Sequence, residues 1–484
     1  MEHFSTTIAL IGMVVVVASL LSGLLERSRL PIVGVFLVIG VVLGPYGLGL
    51  VDIGLHAPVL NVLATLALAM VLFADATTIE KRDLRSHSRL ALALLGPGTL
   101  VPAAIHAAAA HWLLGLPWLP SAILGAALAS TDPVLLRGAV RSHALPPVPR
   151  MALRLETGMN DVLLLPIIVI AMVLMRSGMD AGGEAITRSV VGQFLLGPMA
   201  GALIGSLGIL LMVQVRTRFG LRRDYESLYA IGLAFTAYAV AESVGGSGFL
   251  AAFAAGLMVS IQDVELCDCF REYGDATAEM LLLLTYVALG ASAIWMGLGV
   301  MDWRTLLFAA IALVARSVAL LPVLAAAGVR GRDLRLIALL GPRGLGSLLL
   351  VLLAVFAGIE GADHLFAVAS LVVLLSLVLH GTGIALMLQA HHRTSGGQPA
   401  PRTAALPIAE ADPAEVTERI TINELKELRQ QGESVIIGDV RADRSYREDD
   451  LQAKGAVRLD PDDPVRDARA LRLSQRATLV VYCA

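Results

Sequence analysis

Two stretches decide how this chain is read: Ser130-Thr131-Asp132-Pro133 and Glu156-Thr157-Gly158-Met159-Asn160-Asp161, each set inside a long apolar run. An ionisable side chain at the centre of a bilayer costs ~3 kcal/mol on insertion scales. A chain that keeps several at that depth uses them to pass ions or protons. The surroundings fit that depth. Of 484 residues, 56% are hydrophobic and only 16% charged, with a mean hydropathy of +0.75. A soluble chain carries charge nearer ~25%.

Apolar runs recur to about residue 388. Each of about 13 is long enough to cross a ~30 Å hydrocarbon core. Their approximate limits are 4–25, 31–49, 58–77, 90–114, 118–140, 150–176, 190–214, 225–243, 246–262, 276–299, 303–325, 334–358 and 362–389. The split at Glu242–Ser247 rests only on Gly245-Gly246 interrupting one long apolar stretch. Basic residues concentrate in alternate loops, about 18 against about 3, with Lys81, Arg82, Arg85, Arg222 and Arg223 among them. The positive-inside rule then places the N-terminus outside and the C-terminus in the cytoplasm. The start, Met1-Glu2-His3, has no basic n-region, so the first run reads as a retained helix. Abundant glycine and alanine suit helices that pack closely in lipid. The net charge of −3 carries no nucleic-acid signal, and Cys267, Cys269 and Cys483 form no disulfide framework.

Pro133 removes a backbone donor, and Asp132 places a charge beside it, so span 5 is expected to be interrupted. Discontinuous helices of this kind build midplane cation sites; a plain proline kink with Asp132 as a cap is the alternative. Span 6 starts with Glu156. Thr157 and Asp161 share one of its faces, and Glu156 and Asn160 a neighbouring one. Hard monovalent cations take oxygen ligands, which Asp132, Asp161, the Thr157 hydroxyl and the Thr131 carbonyl offer. Span 12 holds Gly341-Pro342-Arg343-Gly344-Leu345-Gly346-Ser347, a second break with an arginine that needs a partner. It lies seven spans after span 5. Broken helices at matching places in two oppositely oriented halves point to inverted repeats with the site between them. Glu156 is the partner expected for Arg343. Arg316, in span 11, reads as structural, and His106 and His111 as packing residues. The acidic 263–279 loop reads as solvated.

Taken in order, these motifs, with Leu30-Pro31, Leu43-Gly44-Pro45 and the Phe73 region, resemble the cation/proton antiporter 1 family, the NhaP-type and eukaryotic sodium/proton exchangers, over about residues 1–390. The resemblance implies an all-α polytopic membrane protein with 13 helices, inverted repeats and two broken crossing helices. It implies a homodimer in which spans 4–6 and 11–13 form a mobile bundle. It implies exchange of Na⁺, Li⁺ or K⁺ for H⁺ at the cytoplasmic membrane, with no cofactor. Asp161 would carry the ion and proton, aided by Asp132, Thr157 and the Thr131 backbone; Thr157 stands where many relatives have Ser. Asn160 stands where electrogenic relatives carry a second Asp, which implies electroneutral one-for-one exchange. A Glu156–Arg343 pair would brace the bundle. A channel, and a membrane-anchored sulfur or redox sensor, are the rival classes.

After a Gly-, Pro-, Ala- and Thr-rich linker at 391–418, residues 419–484 read as a soluble segment. Thr421-Ile422-Asn423-Glu424 has a capping-box pattern opening a helix through Gln431. Ser434–Val440 and Thr478–Tyr482 read as strands. The order Asp439-Val440-Arg441, Tyr446, Lys454-Gly455-Ala456-Val457 and Val480-Val481-Tyr482-Cys483 resembles the first part of a rhodanese domain. It lacks the usual Gly-His-Ile step. Cys483 would be the nucleophile, but the loop that should follow it is absent, so an inactive tail is expected.

Overall fold

The computed structural model describes residues 32–79, 88–141, 145–177, 190–219, 223–262 and 268–394. It also describes Gly12, Val16, Leu425 and short pieces between 434 and 482. The expected first span apart from Gly12 and Val16, the linker beyond Thr394, the capping-box helix apart from Leu425, Tyr446 and Cys483 lie outside the described residues; the first four residues expected in the linker, 391–394, are helical instead. The chain forms two compact units, Met1–Gly397 and Gln398–Ala484.

The first unit is helical. In chain order it contains α1 (Ile32–Leu43), α2 (Pro58–Thr77), α3 (Ser88–Leu95), α4 (Pro97–Leu114), α5 (Trp118–Ala129), α6 (Pro133–Arg141) and α7 (Pro147–Ser177). A π-helical turn at Gly192–Leu196 leads into α8 (Gly197–Phe219), α9 (Arg223–Ser243), α10 (Gly248–Gln262) and α11 (Asp268–Ala291). A short turn and the four-residue α12 (Met296–Gly299) precede α13 (Trp303–Ala326), α14 (Gly331–Leu339), α15 (Leu345–Phe356) and α16 (Ala362–Thr394). Among the described residues, eight helical stretches are long and apolar enough to cross a membrane, and four shorter apolar helices accompany them. This is a multi-pass membrane protein. The division at Glu242–Ser247 is real: α9 ends at Ser243, and Gly245, at φ 77°, turns the chain into α10.

Both surfaces of these helices are apolar, which separates this fold from a water-soluble bundle. Leu203, Leu207, Leu210 and Leu211 on α8 and Val314 and Val318 on α13 are exposed. Lipid is the medium that tolerates such faces. Close approach comes from small residues. A Cβ added at Gly201 would stand 2.1 Å from the Ala251 carbonyl oxygen, and one at Gly205 2.8 Å from Ala255 Cα. The four-residue spacing on both α8 and α10 lets their backbones meet along one seam.

Two groups of helices result. In one, α11 packs on α1 and α2, and α10 on α2, α8 and α9. In the other, α5 packs on α4 and α7, α4 on α13, and α16 on α15. They meet where α2 contacts α7 and α15.

Both expected breaks are present. α5 stops at Ala129, Ser130 is extended (φ −59°, ψ 135°), and α6 restarts at Pro133. α14 stops at Leu339 and α15 restarts at Leu345, leaving Leu340–Gly344 unwound. A proline ring excludes the carbonyl four residues before it and disfavours helix in the residue immediately before it. Pro133 therefore frees the Ala129 carbonyl, and Pro342 the Ala338 carbonyl.

The second unit contains β1 (Val435–Asp439), β2 (Ala456–Arg458) and β3 (Thr478–Tyr482) in a parallel sheet of order β2-β1-β3. Val435 is in register with Thr478, and Ile437 with Ala456. Both strands read from the sequence are there, and β2 joins them. Asp439 accepts hydrogen bonds from Arg441 Nε and Nη2, from the Arg441 backbone and from the Tyr482 hydroxyl. These donors, Arg441 foremost, hold its carboxyl down to about 2.

Candidate functional site at the crossing of two broken helices

The two breaks meet inside the helical unit. The Asp132 N–H donates to the Pro342 carbonyl at 3.0 Å. Arg343, 1% exposed, extends Nη1 into the first break and donates to the Ala129 carbonyl at 2.8 Å and the Ser130 carbonyl at 2.9 Å. Its backbone N–H donates to Ser376 Oγ on α16 at 2.7 Å. Thus the carbonyl freed by Pro133 receives a guanidinium. The carbonyl freed by Pro342 does too: Ala338 accepts from Arg316 Nη1 at 3.0 Å and from Ser317 Oγ at 2.8 Å.

The expected Glu156–Arg343 pair is not formed. Glu156 is held by Arg316 of α13, with Nε to Oε1 and Nη2 to Oε2 both at 2.6 Å, a bidentate bridge between buried groups. Thr131 Oγ1 also donates to Glu156 Oε1 at 3.1 Å. The reason is geometric. A broken helix presents unpaired carbonyls with partial negative charge, and these accept Arg343. A planar guanidinium from a third element, fitted in register with the carboxylate, takes Glu156 instead. The same rule that called for a partner for Arg343 applied to Arg316 in span 11, so the signal was in the sequence; partner choice was not.

The carboxylates gather at the start of α15. Asp132 Oδ1 accepts from the Val134 N–H at 2.9 Å and so caps α6. Its Oδ2 accepts from the Tyr286 hydroxyl at 3.0 Å. It also lies so close to Gly344 that an added Cβ there would stand 1.7 Å away. At Gly346, an added Cβ would stand 2.9 Å from Ser130 Oγ and 3.6 Å from Asp161 Oδ2. Asp132 of the first break and Asp161 of α7 therefore both border the Gly344–Gly346 turn, where the N-terminal backbone dipoles of α15 favour negative charge. Asp161 Oδ1 and both amide atoms of Asn160 are buried without hydrogen-bond partners among the described residues. Buried polar atoms are normally paired, so the two oxygens among these stand out as candidate ligand positions. Thr157 is turned away from them: its hydroxyl donates to the Leu153 carbonyl at 3.0 Å in its own helix. Sequence reasoning passed over Ser130 and Tyr286. Ser130 stood in plain view beside Thr131, whereas Tyr286 comes from a helix with no motif.

Among the described residues no group of three or more His, Cys, Asp or Glu side chains is arranged to hold a metal ion. The oxygens at hand, two carboxylates and hydroxyls, suit a hard cation rather than a soft transition metal. His106 is buried with its ring nitrogens facing the Gly125 and Ala312 carbonyls at 3.3 and 3.1 Å, joining α4, α5 and α13. His111 donates through Nδ1 to the Leu116 carbonyl at 2.7 Å and stacks on Trp118.

A helical membrane protein with two interrupted helices crossing at buried carboxylates has the architecture of a secondary transporter. Residues 13–390 match the family described as sodium/hydrogen exchanger, transmembrane, and the chain belongs to that family. It is 28% identical over 387 residues to the K(+)/H(+) antiporter NhaP of Alkalimonas amylolytica, covering 79% of this chain and 66% of that one. It is 26% identical over 378 residues to the K(+)/H(+) antiporter NhaP2 of Shewanella oneidensis, covering 76% of this chain and 64% of that one. The chain thus spans just under two thirds of these relatives' length. Its fold is similar to that of the sodium proton antiporter MjNhaP1 from Methanocaldococcus jannaschii, with a TM-score of 0.61 and 20% identity, covering 79% of this chain and all of the other.

Proposed function

We propose that the protein is a secondary antiporter that exchanges a monovalent cation for H⁺ across the bacterial inner membrane, with Asp161 as carrier. The observation that supports this best is the convergence of Asp132 and Asp161 on the Gly344–Gly346 turn, with Ser130 Oγ beside them and Asp161 Oδ1 buried without a partner among the described residues. Cation and proton each neutralise the same carboxylates, so each excludes the other. Only the neutralised site crosses the low-dielectric barrier, because a bare charge there costs too much. That requirement couples the two fluxes and prevents leak. Asp132, the Thr131 carbonyl and, after rotation of its hydroxyl, Thr157 complete the ligand set. Asn160 adds no second charge, which makes the exchange one-for-one and electroneutral.

In this reading the chain has 13 spans in inverted repeats, an outside N-terminus and a cytoplasmic C-terminus. It works as a homodimer, in which the helix group containing α4–α7 and α13–α16 moves against the group built on α1, α2 and α8–α11. The cytoplasmic tail is a rhodanese-like segment. Na⁺ or Li⁺ is the proposed cation. K⁺ is the second reading, favoured by the names of the Alkalimonas and Shewanella relatives.

The test is fluorescence dequenching in proteoliposomes carrying a pH gradient, with Na⁺, Li⁺ and K⁺ added in turn, with and without an imposed voltage. Asp161→Asn is expected to abolish exchange while leaving the protein folded. Full exchange by that variant removes Asp161 from its role, and a cation current without proton movement makes the protein a channel.

A further inference from the structure

Tyr286 is fully buried on α11, a helix that packs against α1 and α2 rather than on the broken pair. Its hydroxyl makes two bonds, and both reach into the crossing. It donates to Asp132 Oδ2 at 3.0 Å and accepts from the Leu345 N–H, the first residue of α15, at 2.8 Å. One phenol therefore ties the two breaks to a helix of the other group. The arrangement has a direct consequence for Asp132. Its Oδ1 is engaged by the Val134 N–H, so Oδ2 is the oxygen facing the Gly344 turn. The phenolic donor takes up one of that oxygen's acceptor sites and draws on the electron density that a cation bound through Oδ2 would use.

We propose that Tyr286 is a positioning residue that competes with the transported cation for Asp132 Oδ2 and so sets the protein's apparent cation affinity. This rests on the antiport reading above, and it adds a residue outside the motif set and outside the helices that carry the site. The Leu345 bond makes the competition directional. A backbone donor pins the phenolic oxygen, so its hydrogen stays aimed at Asp132 rather than turning to another acceptor. When the cation takes Oδ2, the phenol keeps its bond to Leu345 and gives up the one to Asp132. Loading the site then loosens one tie between the two helix groups.

The experiment compares full-length wild type with Tyr286→Phe, which keeps the ring and removes the hydroxyl. Initial exchange rates in proteoliposomes against cation concentration give KM and maximal rate separately, and cation-dependent thermal stabilisation in detergent gives binding without transport. The expected result is a KM roughly five-fold lower, matching the loss of one competing hydrogen bond. The midpoint of thermal stabilisation should move the same way. A purely structural tyrosine would lower yield or maximal rate and leave KM unchanged or raised, and that result overturns the proposal. Wild type that binds cation but exchanges none sinks the antiport reading alone, since the shift in binding midpoint is still readable. Should Tyr286→Phe not fold, 3-fluorotyrosine incorporated at position 286 gives a second reading. Its fluorine signal should move as Na⁺ or K⁺ saturates the protein, and a signal that stays fixed through saturation overturns the competition.

Discussion

The two helix breaks obey one backbone rule and use opposite chemistry. At each, a proline frees the carbonyl four residues earlier: Ala129 before Pro133, Ala338 before Pro342. At each, a buried arginine takes that carbonyl, Arg343 at the first and Arg316 at the second. There the likeness ends. Arg316 also grips Glu156 bidentately, so its charge is matched. Among the described residues Arg343 has no carboxylate partner; backbone carbonyls and the Thr131 hydroxyl take Nη1, while Nε and Nη2 are buried without partners. The first break contributes an acid, Asp132, and the second a glycine turn with the start of a helix. A matched, buried ion pair braces the second break, whereas the arginine at the first is matched only by backbone and hydroxyl oxygens.

The comparison can be broken by experiment. Arg316→Met strands Glu156 in a buried site and should cost ~4 kcal/mol, the usual penalty for an orphaned buried charge. SDS-titrated unfolding of the purified protein measures it. Gly344→Ala should follow at ~3 kcal/mol or more, because its methyl has no room beside Asp132 Oδ2, and exchange should be lost with it. Arg343→Met should cost less, ~2 kcal/mol, since it strands carbonyls rather than a full charge. An Arg343 variant worse than the Arg316 variant would invert the comparison. A double-mutant cycle sharpens it: Glu156→Gln should couple strongly to Arg316→Met and weakly to Arg343→Met. Smallest of all, Ser347→Ala removes a 3.4 Å contact to the Ser130 carbonyl and should shift stability by less than ~1 kcal/mol.

The limits of the sequence show in particular residues. Both breaks were legible because proline and glycine act on their own backbone. Asp132, Glu156, Asp161 and Arg343 stood out because a charge in an apolar run has no local excuse. The correct partner of Glu156 was not legible. Arg316 lies 160 residues away in sequence and competes with Arg343 for the same role. Tyr286 was invisible for a related reason: a tyrosine in an apolar helix carries no mark of where its hydroxyl ends.

By itself, then, the sequence determined the membrane-spanning class, the two interruptions, the acids set inside apolar runs and the strands of the tail. All of these are costs or preferences that a residue carries wherever its neighbours lie. Only the tertiary structure decided that Arg343 serves carbonyls and Arg316 serves Glu156. It alone set Asp132, Asp161 and Ser130 against one glycine turn and brought Tyr286 to Asp132. Those outcomes depend on which groups come within about 3 Å across distant helices, and hydrogen-bond range is a property of packing that no local pattern encodes.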